Sequence, residues 1–489
     1  MSLFSRAATA TPSLTMCDLL QIEDTPELME FRCVSTAVPI WPQVRIAFFR
    51  MIIADHFFTS AESTDVPQSG SRVRALSTLA RATVHNLSLH FGERMHSDIL
   101  INTEAIGDQY ENGKYYNRYV DPFGDYSGGQ AVVLTDMFEW GWNRPRHNER
   151  IYFHAPLQAG QSLRSRLPVS KAARHQAEAL TDFVCGRARA LIGWQIDGRR
   201  RAAFIARVAG RISTHSARYG AYAKLLRRVR PKLLLGSSHC YGFHAPLIAA
   251  ARDMGVVTAE YQHGAVSDGH DAYNFAPSVA ESGAYQRTLP DYFLSYGDWW
   301  NEHIDIPVEK ISIGYPARTM KLAKMEANPA ERKEVLFLTD GVEFELYLDV
   351  AIAVEKSVRA EGYKVVLRPH PMERTAVLAK WKGRTGRVVI DEKPDIYAAF
   401  YAANTVVSEV STGLFEAIGL VENVLMLDTL KARFALPSHP FAMAPSVESI
   451  IDIVLGRASG AATEPAEHFW KDDWQSRYKQ FLQDKVGLK

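Results

Sequence analysis

Three short runs put reactive side chains beside residues that turn the chain. Glu260-Tyr261-Gln262-His263-Gly264 ends a β-leaning stretch, and Arg368-Pro369-His370-Pro371 ends another. Ser408-Glu409-Val410-Ser411-Thr412-Gly413-Leu414-Phe415-Glu416-Ala417 leads from a strand into a helix. A histidine at the carboxyl edge of a sheet can act as general base, since its ordinary pKa lies near neutrality. Glu260 or Asp268 could orient His263, with Gly264 permitting the turn; the plainer alternative is a loop histidine capping a turn. In the second run the prolines fix the backbone so that Arg368 and His370 stand together, and a guanidinium fork beside an imidazole suits a phosphate. The alternative is a proline-rich strand end with a surface histidine. In the third, Ser411, Thr412 and Gly413 open a helix whose first amides and dipole favour an anion, although Ser411 or Thr412 is also an ordinary N-cap. Glu416, one turn on, could accept hydrogen bonds from sugar hydroxyls or pair with a neighbouring helix.

A weaker feature is Asp340-Gly341 with Glu343 and Glu345, which could supply a carboxylate base or simply start a helix. Gly314-Tyr315-Pro316 shapes an interdomain crossover, or brings backbone close to a ligand. Several chemistries are disfavoured. His239, His244, His263 and His270 match no zinc spacing, and no nicotinamide glycine fingerprint, P-loop or nucleophile elbow is present, so neither a metal nor a cofactor is expected.

The elements that must position these residues are read from alternating patterns. After residue 230 an apolar run at 232–235, a helical stretch at 243–254 and the run VVTAEY form a βαβ unit. DYFLSY and ISIG add two strands, and DILINT with 132–135 two earlier ones, while 160–230 is mostly helical. The polar stretch 323–332 reads as a linker. Beyond it, strands at 335–339, 365–368, 388–391, 405–408 and 423–427 alternate with helices at 343–361, 396–403 and 412–420. Such alternation predicts an α/β fold: two Rossmann-like doubly wound domains facing a cleft, with a helical insertion and a C-terminal crossover helix. The domains are expected at 1–322 and 333–460, with 461–489 packing back on the first.

Composition limits the classes of function. The 489 residues are 47% hydrophobic and 23% charged, enough for two large cores, and 56 Lys plus Arg against 55 Asp plus Glu leave a net charge of +1. Nucleic acid is therefore not an expected partner. Cys17, Cys33, Cys185 and Cys240 form no CxxC pair, which fits a reducing, cytoplasmic location. The run at 44–58 is too short to span a membrane and reads as a buried amphipathic helix, with a membrane-surface contact as the alternative. The basic run at 227–232 is a solvated helix end, or touches anionic lipid or acceptor.

The runs IAAARDMGVVTAEYQHG, PDYFLSYGDWW followed by ISIGYP, RPHP and STGLFEA together resemble GT-B-fold transferases of bacterial surface-polysaccharide synthesis, of the capsule and lipopolysaccharide type. The resemblance covers roughly residues 230 to 430, and VPIWPQVRIAFFRM looks like the N-terminal region of such proteins. By likeness to sialyl-, Kdo- and CDP-glycerol transferases, His370, Ser411 and Thr412 would contact donor phosphate and Glu416 the ribose. His263-Gly264 matches the histidine-glycine pair that serves as base in the CDP-glycerol enzymes, with Gln262 in place of their aromatic; the sialyl type uses an acidic pair before glycine, of which Asp340-Gly341 remains. The expectation is a metal-independent glycosyltransferase moving a sugar from a nucleotide-activated donor, CMP- or CDP-linked among the options, to a hydroxyl of a glycan or lipid-linked glycan, at the inner face of the membrane if peripheral. Transfer of an alditol phosphate, epimerisation of a nucleotide sugar and a non-catalytic glycan-binding role are the alternatives.

Overall fold

In a computed structural model of the chain, the described residues are 14–33, 36–57, 72–90, 95–137, 140–156, 169–324, 332–371, 373–381, 383–393 and 395–488. The first sheet is built from Ile99–Thr103 (β1), Val132–Thr135 (β4), Ile151–Phe153 (β5), Leu233–Gly236 (β6), Val257–Tyr261 (β7), Tyr292–Ser295 (β8) and Glu309–Ser312 (β9). Between β1 and β4, Asp108–Glu111 (β2) and Lys114–Asn117 (β3) form a separate antiparallel hairpin. The second sheet comprises Glu334–Leu338 (β10), Lys364–Arg368 (β11), Val389–Ile390 (β12), Ala403–Ser408 (β13), Asn423–Leu427 (β14) and Ala442–Ala444 (β15).

Every pairing in both large sheets is parallel. The orders are β5-β4-β1-β6-β7-β8-β9 and β12-β11-β10-β13-β14-β15. Each reverses direction once, between β1 and β6 and between β10 and β13, which is the doubly wound arrangement whose ligands sit beyond the carboxyl ends of the strands. The chain therefore forms two Rossmann-like lobes in the GT-B-like manner.

Strands buried on both faces read as continuous apolar runs, and their side chains divide by period two. Ile99, Ile101, Leu233 and Leu235 enter one core, whereas Leu100, Leu134 and Leu234 enter another beneath the helices Gly198–Val229 and Ala245–Asp253. In the second lobe Val335, Phe337, Val365 and Leu367 pack under Phe344–Val358 and Val447–Val454. Leu336, Leu338 and Val366 face the other way, into the same apolar cluster as the first lobe's Ile101 and Tyr261. One core thus runs through the interface between lobes.

The helical insertion consists of Lys171–Ile192 and Gly198–Val229; the part of the expected helical stretch before residue 169 and the linker residues 325–331 lie outside the described residues. The run at 44–58 forms the helix Arg45–Phe57, whose apolar side chains are buried or half-buried within the protein. This packing supports the buried reading. Among the described residues no helix is long and apolar enough to cross a membrane.

The C-terminal helix Trp474–Phe481 returns to the first lobe, where Trp474 and Tyr478 meet Phe123 edge-on at 5.7 and 4.7 Å and Phe481 meets Tyr292 at 5.5 Å. Gly314 makes this crossing close. Its φ of +101° is in the region that favours glycine, and a Cβ there would stand 2.4 Å from the Lys471 carbonyl oxygen. Gly314→Ala should therefore cost about 1–3 kcal/mol of folding stability, as strained backbone positions do. A lower denaturant midpoint at unchanged slope would register it; an unchanged midpoint would contradict the packing.

Candidate functional site

In the first lobe the site is built on the turn after β7. Gln262 is buried and braces that turn: its Nε2 donates to the Gly264 carbonyl at 2.8 Å, and its Oε1 accepts from the Tyr296 amide at 2.9 Å. His263 is thereby held with Nε2 3.4 Å from Ser238 Oγ and Nδ1 3.9 Å from Glu260 Oε1. The Nδ1 atom is buried and makes no hydrogen bond. Burial, then the neighbouring His270 and Arg50, pushes the His263 pKa down to about 4, so the imidazole is neutral at neutral pH and able to accept a proton.

Glu260 is fully buried, accepting from Tyr273 Oη and from the Cys240 amide, both at 2.6 Å. Burial raises its pKa against those bonds. Of the two carboxylates expected to orient His263, Glu260 is therefore the one within reach. Asp268 instead takes a hydrogen bond of 2.8 Å from Ser438 in the second lobe.

The second lobe meets this turn directly. Thr412 starts the helix Thr412–Ala417, and its Oγ1 accepts a 2.7 Å hydrogen bond from the Ala265 amide. Thr412 and His263-Gly264 are thus brought together at the interlobe crevice. Ser411 is a genuine N-cap, its Oγ accepting from the Gly413 amide at 3.1 Å, which leaves that amide no free hydrogen for phosphate. Gly413 has a packing reason as well: a Cβ would fall 2.6 Å from Leu338 Cδ1.

His370 follows β11, with its amide donating to Thr339 Oγ1 at 2.8 Å and Glu373 Oε1 at 3.1 Å. Gly341 (φ +86°) lets the imidazole come close, a Cβ there lying 3.2 Å from His370 Nδ1. Burial lowers the His370 pKa to about 4, against the pull of Asp340 and with the help of Arg118 and Arg374.

Two expected site residues, the donor ligand Arg368 and the candidate base Asp340, are committed elsewhere. Arg368 donates to Asp391 and to the Lys393 carbonyl at 2.9 Å, because β11 pairs with β12 and the buried guanidinium finds its counter-charge there. Asp340 is bound by Lys431 Nζ at 2.6 Å, in a buried cluster that also holds Glu409 at 2.5 Å and Glu343 at 3.3 Å. Lys431 holds the Asp340 carboxyl below its usual range despite burial, which makes it a poor base, whereas burial pushes Glu409 up to about 7.

Three site residues escaped sequence reasoning. Arg118, just after β3, donates to Tyr119 Oη; burial would lower its pKa, but Tyr119, then Tyr315 and Glu416, hold it well above its ordinary value, and Arg118 in turn helps lower the pKa of His370. Glu416 itself is buried, takes a hydrogen bond from Tyr397, and has its pKa raised by burial. Ser238 follows β6 with a φ of +58°, and Glu104, pushed up to about 7 by burial and by Asp136, stands beside it. The Asn112-Gly113 pair, a hairpin signal, could have revealed the element that delivers Arg118.

No protein-family model matches the chain, and no curated protein does. Among solved structures it is similar to the UDP-GlcNAc 2-epimerase of Methanocaldococcus jannaschii, at 10% identity over 79% of this chain and 99% of that one, with a TM-score of 0.44. It is similar to the wall teichoic acid polymerase TagF at 11% identity over 85% and 98%, with a TM-score of 0.42. For the UDP-GlcNAc 2-epimerase of Neisseria meningitidis the figures are 11%, 79% and 100%, with a TM-score of 0.41.

Two measurements test this electrostatic picture. His154, His215, His244, His263, His270 and His370 all have pKa values held down to about 3 or 4 by burial. The unfolded chain binds protons below about pH 6.5 that the folded chain excludes, so stability should be complete above that pH and fall between pH 6.5 and 4. A flat denaturation midpoint over this range would contradict it. Lys431→Met leaves the carboxylates unpaired and should cost about 3–5 kcal/mol at pH 8. Without Lys431 nothing offsets the burial of Asp340 and Glu409, so they take up protons as pH falls and that loss shrinks, which denaturation at pH 5 would reveal.

Proposed function

We propose that this protein is a glycosyltransferase that moves a sugar from a nucleotide-activated donor to a hydroxyl of a surface glycan, working in the cytoplasm. The observation that carries the reading is the junction of the two lobes at the Ala265–Thr412 hydrogen bond, which sets a neutral imidazole beside a crevice containing Arg118 and His370. A proton acceptor, His263, and a permanent cation, Arg118, match the two charges that glycosyl transfer must handle.

In the proposed reaction the acceptor oxygen forms a bond to the anomeric carbon while the carbon–oxygen bond to the donor phosphate breaks. The acceptor proton passes to His263, and Glu260, at 3.9 Å, supports the imidazolium that results. The electron pair of the broken bond leaves on the nucleotide phosphate, whose charge Arg118 offsets, with His370 and Thr412 positioning it. Asp340 has no part in proton transfer, since Lys431 already holds its charge. Ser238 keeps the imidazole in place.

Thermal denaturation with CMP, CDP, UDP and GDP tests the donor site, because a ligand that binds only the folded state raises the melting temperature. One nucleotide should raise it and the others less; Arg118→Met should lose most of that rise. No response to any of the four would remove the nucleotide donor. His263→Ala should retain nucleotide binding but lower turnover by about 10²- to 10⁴-fold, the usual contribution of a general base. Full turnover in that variant would remove His263 from the chemistry.

A further inference from the structure

The carboxyl ends of β1, β5 and β6 hold a second polar cluster. Asn102 accepts from His154 Nε2 at 2.9 Å and donates to His239 Nε2 at 3.3 Å, and the His244 ring lies 5.6 Å from that of His239 and 6.3 Å from that of His154. From the helix Gly198–Val229, Arg211, His215 and Arg218 approach at positions four and three residues apart, on one face.

The cluster is rich in donors that lack acceptors. Arg218 is 7% exposed; its Nη2 donates to the Phe243 carbonyl at 2.7 Å, while Nε and Nη1 have no hydrogen-bond partner. His215 is fully buried. Its Nδ1 accepts from Gln43 Nε2 at 3.0 Å, so the proton of the neutral ring sits on Nε2, where no acceptor stands. By the same reasoning His239 accepts at Nε2 and carries an unmatched N–H at Nδ1. The unpartnered acceptor nearby, Gln43 Oε1, belongs to the amide that fixes His215.

The charged neighbours are of one sign. Arg218 and His244 act on His154, Arg218 and Arg211 on His244, Arg218 on His215, and Arg218 and Arg207 on Arg211. Among the described residues no carboxylate acts on these four groups. A buried guanidinium normally keeps a counter-ion, as Arg45 does with Glu23 and Arg368 with Asp391 elsewhere in this chain.

We propose that Arg211, His215 and Arg218, with His154 and His244, form a binding site for an oxyanion of the phosphate class. Several N–H groups converging with cationic charge, and no competing acid among the described residues, are what tetrahedral oxyanions require, whereas water would fill the hydrogen bonds and leave the charge unbalanced. The same burial and cation crowding push Arg211 down to about 10 and His154 and His244 to about 3, a burden that a bound anion relieves. The site is separate from the residues assigned to the nucleotide. Ser238, whose hydroxyl faces His263, precedes His239, so an anion held here lies near the acceptor side of the crevice.

The test uses the whole chain without nucleotide. Inorganic phosphate at constant ionic strength should raise the melting temperature saturably over chloride, and Arg211→Gln should weaken its affinity at least tenfold while any nucleotide response is retained. Arg218→Gln should abolish the phosphate response; if that variant does not fold, Arg211→Gln carries the test because its side chain is only partly buried. No rise over chloride, or unchanged phosphate affinity in Arg211→Gln, would overturn the site. An n-octyl phosphate arm separates sources: tighter binding than inorganic phosphate assigns the site to an esterified phosphate of a substrate, and weaker binding assigns it to the free ion.

Discussion

Backbone approaches backbone so closely at residue 269 that no side chain fits there. A Cβ on Gly269 would fall 1.9 Å from the Phe434 carbonyl oxygen and 2.8 Å from that of Ala435. Beside it Ser267 Oγ donates to the Ala435 carbonyl at 2.5 Å, and Ala265 donates to Thr412. The loop that follows β7 is thus pressed against the second lobe over several residues, and that contact adds to the bonds of Gln262 in placing the imidazole at its start. An ordinary side chain at 269 would push the lobes apart and move His263 away from Thr412 and His370 together.

The far end of the same loop is fixed by charge. Arg45 is fully buried and donates to Glu23 through Nε at 2.5 Å and Nη2 at 2.8 Å, to the Asn274 carbonyl at 2.6 Å, and to the Asp271 carbonyl. Arg50 adds a pair with the Asp271 carboxylate at 3.1 Å. Buried ion pairs of this kind add little net stability, since desolvation offsets attraction. Their effect is geometric: they give one loop conformation a satisfied charge and every other conformation an unsatisfied one. Lys431 acts in the same way on the opposing wall, where it gathers Asp340, Glu343 and Glu409 beneath the crevice.

The doubly wound halves are legible in the letters because parallel strands covered on both faces must be largely apolar runs, and LLLG and EVLFL are such runs. His263, Gly264 and Thr412 are legible because strand ends and helix starts are local features. Partners distant in the chain are not. Lys431 and Asp340 are 91 residues apart, and nothing near either one announces the other. Arg368 looks like a phosphate ligand until β12 brings Asp391 alongside it. The hairpin carrying Arg118 is hidden because DQYE and KYYN lack the apolar alternation of a half-buried strand, although Asn112 and Gly113 both take the positive φ of a tight turn. Gly413 shows the converse error: a glycine at a helix start reads as a phosphate contact when its role is to admit Leu338.

The chain passes from first lobe to second between β9 and β10, and returns before Trp470, whose ring lies against Tyr296 and Tyr315 of the first lobe at 5.3 and 5.6 Å. The second lobe is thereby an insert in the chain of the first, joined to it at both ends. Any movement of the second lobe must therefore be accommodated at both crossings, and the rings stacked around Trp470 tie one of them to the first lobe.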